Sequence, residues 1–220
     1  MGPFHRSLGP RAARRSRAAK NPLKPATVPH TLARIPYLEP ERASEGVRRL
    51  LAPDRPQKIA LLFGHAESNW PRLADLLLSI LGEQALDPRP RELAILRVAA
   101  LREARYEWEQ HVAISAAAGV RAEQLEAIAR GDVEAACFDP LERQVLAAVT
   151  SFVREGDLPA EDVAALAARL PPRELVELLL ACGVYEALAK LMNALALDPE
   201  APGSRAFAEA VNRGAVAPRG

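Results

Sequence analysis

The chain has 220 residues, which suits one domain or one domain with an extension, and hydrophobic residues make up 49% of it, enough to build a core. Aromatic residues contribute only 5%, so the core must be built from Leu, Ala, Val and Ile, and this composition predicts an all-α fold. No apolar run approaches the roughly 18 residues needed to span a bilayer and no secretory signal is visible, so a membrane protein is excluded and a cytoplasmic one is expected.

Charge is distributed unevenly along the chain. The net charge is +1, but residues 1–38 hold eight basic residues and no acidic one, so the remainder carries 21 basic and 28 acidic residues. A basic, Pro-rich arm without helical apolar periodicity is typical of a disordered extension or an upstream mis-assigned start. A targeting segment and a phosphate-binding arm are the alternatives. Nucleic acid is not the expected partner, because the acidic body opposes its approach.

Proline, glycine and capping residues divide the rest of the chain into helices. Pro88 and Pro90 open a helix whose surface is mostly apolar, which predicts a central position in the bundle. The chain then turns near Glu103, and Gly119 is expected to cap the next helix in the left-handed conformation. The helical domain is predicted over residues 39–200, with a tail at 201–220. The predicted helices span residues 41–51, 58–68, 70–82, 88–102, 106–118, 122–130, 140–154, 159–170 and 173–197, with one or two further turns at 206–212.

Three proton-transfer side chains lie on two consecutive helices, namely Glu92, Glu107 and His111. Glu107 and His111 are four residues apart on one helical face, so the carboxylate is expected to contact the imidazole, raise its pKa and fix its tautomer. Glu92 on the preceding helix is expected to fold back toward both. The alternatives are a structural core histidine and a first-turn acid that only stabilises its helix N-terminus.

Other side chains near this group are candidates for the substrate pocket. Arg97 and Arg102 are candidates for holding a substrate carboxylate, with ordinary salt bridges as the alternative. Tyr106 and Trp108 are interpreted as a pocket wall and core filler. Cys137 and Cys182 do not form a Cys-x-x-Cys motif and are interpreted as unpaired structural thiols.

Motifs for cofactors and metals are missing from the sequence. The four histidines form no recognised metal-ligand spacing, and no Gly-rich phosphate loop or serine nucleophile elbow is present. The sequence therefore predicts chemistry without a cofactor or a metal.

The sequence also resembles a known family around the three proton-transfer residues. Arg91-Glu92-Leu93, Tyr106-Glu107-Trp108 and His111 resemble the signature of the carboxymuconolactone decarboxylase family, whose relatives include the alkylhydroperoxidase D-like proteins. The likeness covers roughly residues 58 to 200. In the peroxidase branch a Cys-x-x-Cys pair follows the upstream Glu, and here Ala104 and Glu107 stand in its place. The resemblance implies that the acid–base pair is kept and the redox pair is lost.

The resemblance also carries expectations about assembly and activity. It implies an all-α, alkylhydroperoxidase D-like helical bundle that forms a homo-oligomer, a trimer or a hexamer, with the site near subunit contacts. The expected activity is that of a decarboxylase-like lyase on a small carboxylated carbonyl or lactone compound. Glu107 and His111 would supply the proton, and Glu92 would orient or relay. The alternatives are a peroxidase and a non-catalytic oligomeric protein that binds a small ligand.

Overall fold

A computed structural model describes residues 31–52, 56–203 and 205–213, and the compact body of the protein begins at Leu32. Within these ranges the chain forms helices and no strands, so the all-α prediction is confirmed. A short 3-10 helix at Pro40–Arg42 precedes the α-helices. The α-helices are α1 Glu45–Arg48, α2 Lys58–Phe63, α3 Trp70–Gly82, α4 Pro88–Leu101, α5 Arg105–Ala117, α6 Ala122–Arg130, α7 Pro140–Glu155, α8 Ala160–Ala167, α9 Pro172–Leu195 and α10 Arg205–Asn212.

Helix α4 lies at the centre of the bundle, as its apolar composition predicts. Every residue from Pro90 to Ala99 is buried, and α5, α6, α7 and α9 pack around the helix. The Asp87 side chain caps its N-terminus by accepting a hydrogen bond from the backbone N–H of Arg89 over 2.8 Å. The chain reverses at Glu103, whose φ is +52°, and α5 runs back along α4. This reversal brings side chains of the two helices to the same level.

The predicted stop signals end three of the helices. Gly119, Gly131 and Gly156 all have positive φ values, between +76° and +87°, as expected after a helix C-terminus. Helix α7 starts with a capping box, in which the side chains of Asp139 and Glu142 each accept a hydrogen bond from the other's backbone N–H.

The N-terminal helices are shorter than predicted. The helix expected at 41–51 is interrupted, because the Ser44 side chain caps a new start by accepting a hydrogen bond from the backbone N–H of Val47. Helix α2 ends at Phe63 rather than at residue 68. Gly64 follows it at a close approach of two segments, since a Cβ there would lie 2.9 Å from a Val47 methyl group and 2.6 Å from the Ala60 carbonyl oxygen. The sequence pattern did not reveal this contact.

The packed body extends beyond the predicted domain boundaries. Helix α10 falls within the predicted tail, yet it packs on α3 and α5 and buries Ala208 and Val211. At the other end, the Tyr37 hydroxyl donates a hydrogen bond to Asp198 Oδ2 over 2.9 Å. The boundaries at residues 38 and 200 therefore both fall inside the body, while residues 1–30 of the predicted arm lie outside the described residues.

No helix of the described segments is both long enough and apolar enough to cross a membrane.

Candidate active site

A cavity of about 360 Å³ lies among α2, α3, α5, α9 and α10. Its wall is mainly apolar, with contributions from Trp70, Leu188 and Phe207. Most of the polar side chains that line it lie on α5, and one arginine comes from the segment after α1. They are Tyr106, Glu107, Gln110, His111, Tyr185, Gln57 and Arg49.

His111 is held by Glu92, not by Glu107. The Nδ1 atom of His111 donates a hydrogen bond to Glu92 Oε2 over 2.8 Å, and the two side chains are 6% and 0% exposed. The prediction that Glu92 folds back toward His111 is confirmed. Because the carboxylate takes the Nδ1 proton, the neutral ring keeps Nε2 free to accept a proton. In the described part of the chain Nε2 has no hydrogen-bond partner, and His111 lines the cavity.

The charge of Glu92 is balanced by its neighbour in sequence. Arg91 Nε donates a hydrogen bond to Glu92 Oε1 over 3.0 Å, and Arg91 is itself only 2% exposed. Each Glu92 oxygen thus accepts one hydrogen bond, from Arg91 and from His111 respectively. These two donors and the guanidinium charge compensate for the burial of the carboxylate.

Glu107 is buried in the cavity wall without a hydrogen bond. The residue is 2% exposed, and neither carboxyl oxygen has a partner among the described residues. The predicted contact between Glu107 and His111 is therefore wrong, since Glu92 occupies the Nδ1 side of the ring. Burial raises the pKa of Glu107 well above its usual value of 4.5, which favours the neutral carboxylic acid, the form that can donate a proton.

Tyr185 on α9 completes the wall next to His111. The two rings meet edge to face, with centroids 4.9 Å apart and planes at 88°. Burial, with a smaller contribution from the charge of Glu92, raises the pKa of Tyr185 well above 10, so the phenol stays neutral. Tyr185 was not predicted as a site residue, because it lies on a long apolar helix far from the motif. Tyr106 does line the cavity as predicted, and its hydroxyl donates a hydrogen bond to Glu200.

Three of the predicted pocket residues lie elsewhere. Arg97 points toward α7, where its Nε donates a hydrogen bond to Thr150 Oγ1 over 2.9 Å. Arg102 donates to the Val153 carbonyl and pairs with Glu186. Trp108 packs against apolar clusters on the other side of α5. None of these three residues lines the cavity described above, whose arginine is Arg49. Trp108 packs against the core, as its interpretation as core filler predicts.

The thiols lie outside the cavity wall. Cys137 is half-buried, and Cys182 is fully buried in α9, where burial raises its pKa to about 12. Both thiols are free, in agreement with the prediction of unpaired cysteines. Among the residues that the structure describes, no three or more His, Cys, Asp or Glu side chains are grouped so that they could hold a metal ion.

These groups form an acid–base arrangement at the inner end of an apolar cavity. His111 can accept a proton at Nε2, because Glu92 stabilises the imidazolium that forms. Glu107 can donate a proton, because its environment favours the neutral acid. Proton donor and proton acceptor thus line one space large enough for a small organic molecule.

The sequence and the structure both match known proteins. Residues 57–151 match the model of the carboxymuconolactone decarboxylase family, and this segment contains Glu92, Glu107 and His111. Among curated proteins, none is significantly similar to the chain.

Two crystal structures with similar folds come from bacteria. One is an alkylhydroperoxidase AhpD core, an uncharacterized peroxidase-related protein from Ralstonia eutropha JMP134, with a TM-score of 0.68, 15% identity and coverage of 84% of this chain and 98% of that one. The other, from Agrobacterium tumefaciens, is a protein of unknown function proposed to be an antioxidant defence protein AhpD, with a TM-score of 0.57, 18% identity and coverage of 63% and 95%. Residues 57–151 are thus similar to the carboxymuconolactone decarboxylase family, and the fold of the chain is that of the AhpD-like proteins.

Proposed function

We propose that the protein is a cofactor-free, decarboxylase-like lyase that transfers protons to a small carbonyl or lactone compound. The observation that carries this proposal is the pairing of two opposite proton-transfer groups on one cavity. His111 is oriented by Glu92 through Nδ1 and lines the cavity, and Glu107 lines the same cavity as a neutral acid. The match of this segment to a family of decarboxylases supports it.

The proposed reaction needs only these side chains. The substrate loses its carboxylate as carbon dioxide, and the electron pair left behind moves into a conjugated carbonyl group to give an enolate. The Glu107 carboxylic acid donates a hydrogen bond to the enolate oxygen, and His111, which has accepted a proton from solvent at Nε2, delivers that proton to carbon. Solvent then returns a proton to His111. Each turnover consumes one proton, and neither an oxidant nor a reductant takes part.

Charge in the cavity favours a particular orientation of the substrate. The inner end holds a neutral acid and an apolar wall, and the side chain of Arg49 is 61% exposed. Removing water from a carboxylate that is about to leave favours its loss, so this group belongs at the buried end of the cavity, beside Glu107 and His111. A second acidic group on the substrate would lie at the outer side near Arg49, where solvent and the guanidinium stabilise it.

Carbon dioxide release tests the proposal directly. Lactone acids and 3-keto acids are screened with the wild-type protein, His111→Ala and Glu107→Gln, and circular dichroism reports whether each variant is folded. His65→Ala is the matched control, since His65 is exposed and its Nε2 contacts the Pro36 carbonyl outside the cavity. We expect turnover to be lost in both cavity variants and kept in the control. Turnover that is unchanged in the cavity variants would contradict the roles proposed for His111 and Glu107, and the absence of turnover in the wild type would favour a ligand-binding protein.

Peroxidase activity is the second candidate, because a protein with a similar fold is peroxidase-related. That chemistry needs a thiolate and a resolving thiol, whereas Cys182 is buried with a pKa of about 12. Peroxide consumption is measured for the wild type and for Cys137→Ser/Cys182→Ser. A rate that disappears in the double variant would establish thiol chemistry and displace the lyase proposal.

We also propose that the protein is a homo-oligomer, a trimer or a hexamer. Helix α9 supports this, because it exposes three large apolar side chains, those of Val176, Leu180 and Leu191. Light scattering coupled to gel filtration measures the mass in solution. A monomer at micromolar concentration would contradict the proposal.

A further inference from the structure

The C-terminal helix α10 is connected to the catalytic pair by hydrogen bonds. Asn212, its last residue, accepts a hydrogen bond at Oδ1 from Arg91 Nη2 over 2.8 Å. The same amide donates from Nδ2 to the backbone carbonyl of Ile114 over 2.9 Å. Ile114 lies on α5, one turn after His111. The amide of Asn212 therefore bridges the two helices that carry Glu92 and His111.

These contacts close a ring of hydrogen bonds. From Asn212 the ring continues through Arg91 to Glu92 Oε1, over 3.0 Å, and from Glu92 Oε2 to His111 Nδ1, over 2.8 Å. It returns to Asn212 along α5 through Ile114. The three charged or titratable members of the ring are each 5% exposed or less, so water does not compete strongly for their hydrogen bonds.

Asn212 supplies the second of the two hydrogen bonds that hold the Arg91 guanidinium in this ring. Arg91 uses Nε for Glu92 and Nη2 for Asn212, and its guanidinium is planar, so the two contacts define its plane. The plane in turn sets where Glu92 Oε1 lies and hence how Oε2 meets His111. Without Asn212 the guanidinium can rotate about its remaining contact, and the carboxylate can rotate with it.

Helix α10 is anchored well enough to serve this purpose. Ala208 is 1% exposed and Val211 is fully buried, and the helix packs on α3 and α5. Phe207 and Ala208 also line the cavity. The helix lies outside the segment that matches the family model, which ends at residue 151, so the match does not assign it a role.

We infer that Asn212 is a positioning residue for the acid–base site, acting through Arg91 and Glu92 to hold His111 in the Nδ1-protonated tautomer. The C-terminal helix is thus part of the active site. The effect on turnover rests on the proposed function, but the tautomer of His111 does not, so the two can fail separately.

Nitrogen NMR of the histidine rings tests this inference without a substrate. The full-length chain has four histidines, and His111→Ala identifies the signals of His111. At pH 8 we expect one dominant tautomer in the wild type, with Nδ1 protonated. Asn212→Ala should give averaged nitrogen shifts that indicate both tautomers. Asn212→Asp keeps an oxygen for Arg91 and should retain the dominant tautomer.

Asn193→Ala is the matched control. Asn193 is also a helical asparagine whose Nδ2 donates to a backbone carbonyl, that of Arg102 over 2.6 Å, but it does not line the cavity. Its replacement should leave the His111 signals unchanged. Unchanged His111 shifts in Asn212→Ala, or equal changes in Asn193→Ala, would overturn the inference. If Asn212→Ala does not fold, Asn212→Ser is measured in its place and judged in the same way.

Where a substrate is found, kinetics add a second readout. Asn212→Ala should lower kcat by about tenfold or more while changing KM little, because the substrate binds to the cavity wall and Asn212 acts only on the orientation of His111. A rise in KM at constant kcat would place the effect of Asn212 on substrate binding and contradict a positioning role.

Discussion

Glu92 and His111 are 19 positions apart in the sequence, and the carboxylate of the first accepts a 2.8 Å hydrogen bond from Nδ1 of the second. The contact joins α4 to α5 and is buried on both sides. It gives His111 one defined proton donor side and one free acceptor side, which a general base requires. Arg91 supplies the compensating charge, so the carboxylate, the imidazole and the guanidinium depend on one another.

Glu92→Gln tests this dependence. The amide keeps the size of the carboxyl group but loses its charge, so the imidazolium is no longer stabilised and Arg91 is left as a buried cation without its partner. We expect kcat to fall by about 10²- to 10⁴-fold. We expect the free energy of unfolding, measured in urea, to fall by about 3 kcal/mol.

Glu109→Gln is the control for Glu92→Gln. It breaks the pair between Glu109 and Arg105, whose side chain is 73% exposed, and exposed pairs contribute about 1 kcal/mol or less. Equal losses of stability in the two variants would contradict the structural role assigned to Glu92.

The helix ends that were predicted correctly are those set by capping residues close by in the sequence. The left-handed glycines at 119, 131 and 156 and the capping box at Asp139 act within a few residues, so their effect can be recognised in the chain itself. The interruption at Ser44 is also local, since its side chain caps a new helix start, but the apolar pattern did not distinguish it. The early end of α2 could not be predicted in this way, because Gly64 lies against Val47, which is a tertiary contact.

The sequence predicted which residues form the candidate site more accurately than it predicted how they contact one another. The motif identified Glu92, Glu107 and His111, but the helical spacing favoured Glu107 as the partner of His111. That spacing describes neighbours on one helix, whereas the reversal at Glu103 brings a carboxylate of the adjacent helix closer. Tyr185 and Asn212 come from helices that reach the site only through the tertiary fold, and no local pattern distinguishes them.

Glu107 is expected to make stability depend on pH. Its pKa is raised in the folded protein above the usual 4.5, so over the interval between these two values the folded protein holds a proton that the unfolded chain has released. Its stabilising contribution is full below pH 4.5 and is lost as the pH rises toward the folded pKa. Relative to Glu107→Gln, the wild type should lose up to about 1.4 kcal/mol of unfolding free energy for each pH unit in that interval.

Urea unfolding of the two proteins at several pH values from 5 to 8 measures this difference. Glu126→Gln is the control, because the Glu126 side chain is 72% exposed and water solvates its charge in both states. Its stability should follow that of the wild type at every pH. Parallel curves for the wild type and Glu107→Gln would show that Glu107 is ionised in the folded protein, and the role of proton donor would then be lost.

Arg49 is expected to affect the binding of acidic substrates. Its side chain lines the cavity and is 61% exposed, and its contact with Glu45 is long, at 3.8 Å. Arg49→Gln should raise KM about fivefold for a substrate with a second carboxylate, the equivalent of about 1 kcal/mol for an exposed charge pair. The methyl ester of that carboxylate should show no change. Arg105→Gln removes an exposed arginine outside the cavity and should leave both KM values unaltered; a matching rise there would point to general electrostatics.

Two glycine-to-alanine substitutions are expected to change stability in opposite directions. Gly156 ends α7 with a φ of +76°, and although a Cβ there would meet nothing within 4 Å, L-residues with side chains disfavour this conformation. Gly156→Ala should therefore lower the free energy of unfolding by about 1 kcal/mol.

Gly183 lies inside α9, where the nearest atom to a new Cβ is Phe152 Cζ at 3.9 Å. Gly183→Ala should raise the free energy of unfolding by about 0.5 to 1 kcal/mol, because alanine restricts the unfolded chain and fits the helix. Urea unfolding of both variants decides the matter, and a destabilised Gly183→Ala would mean that α9 has no room for a methyl group at this position.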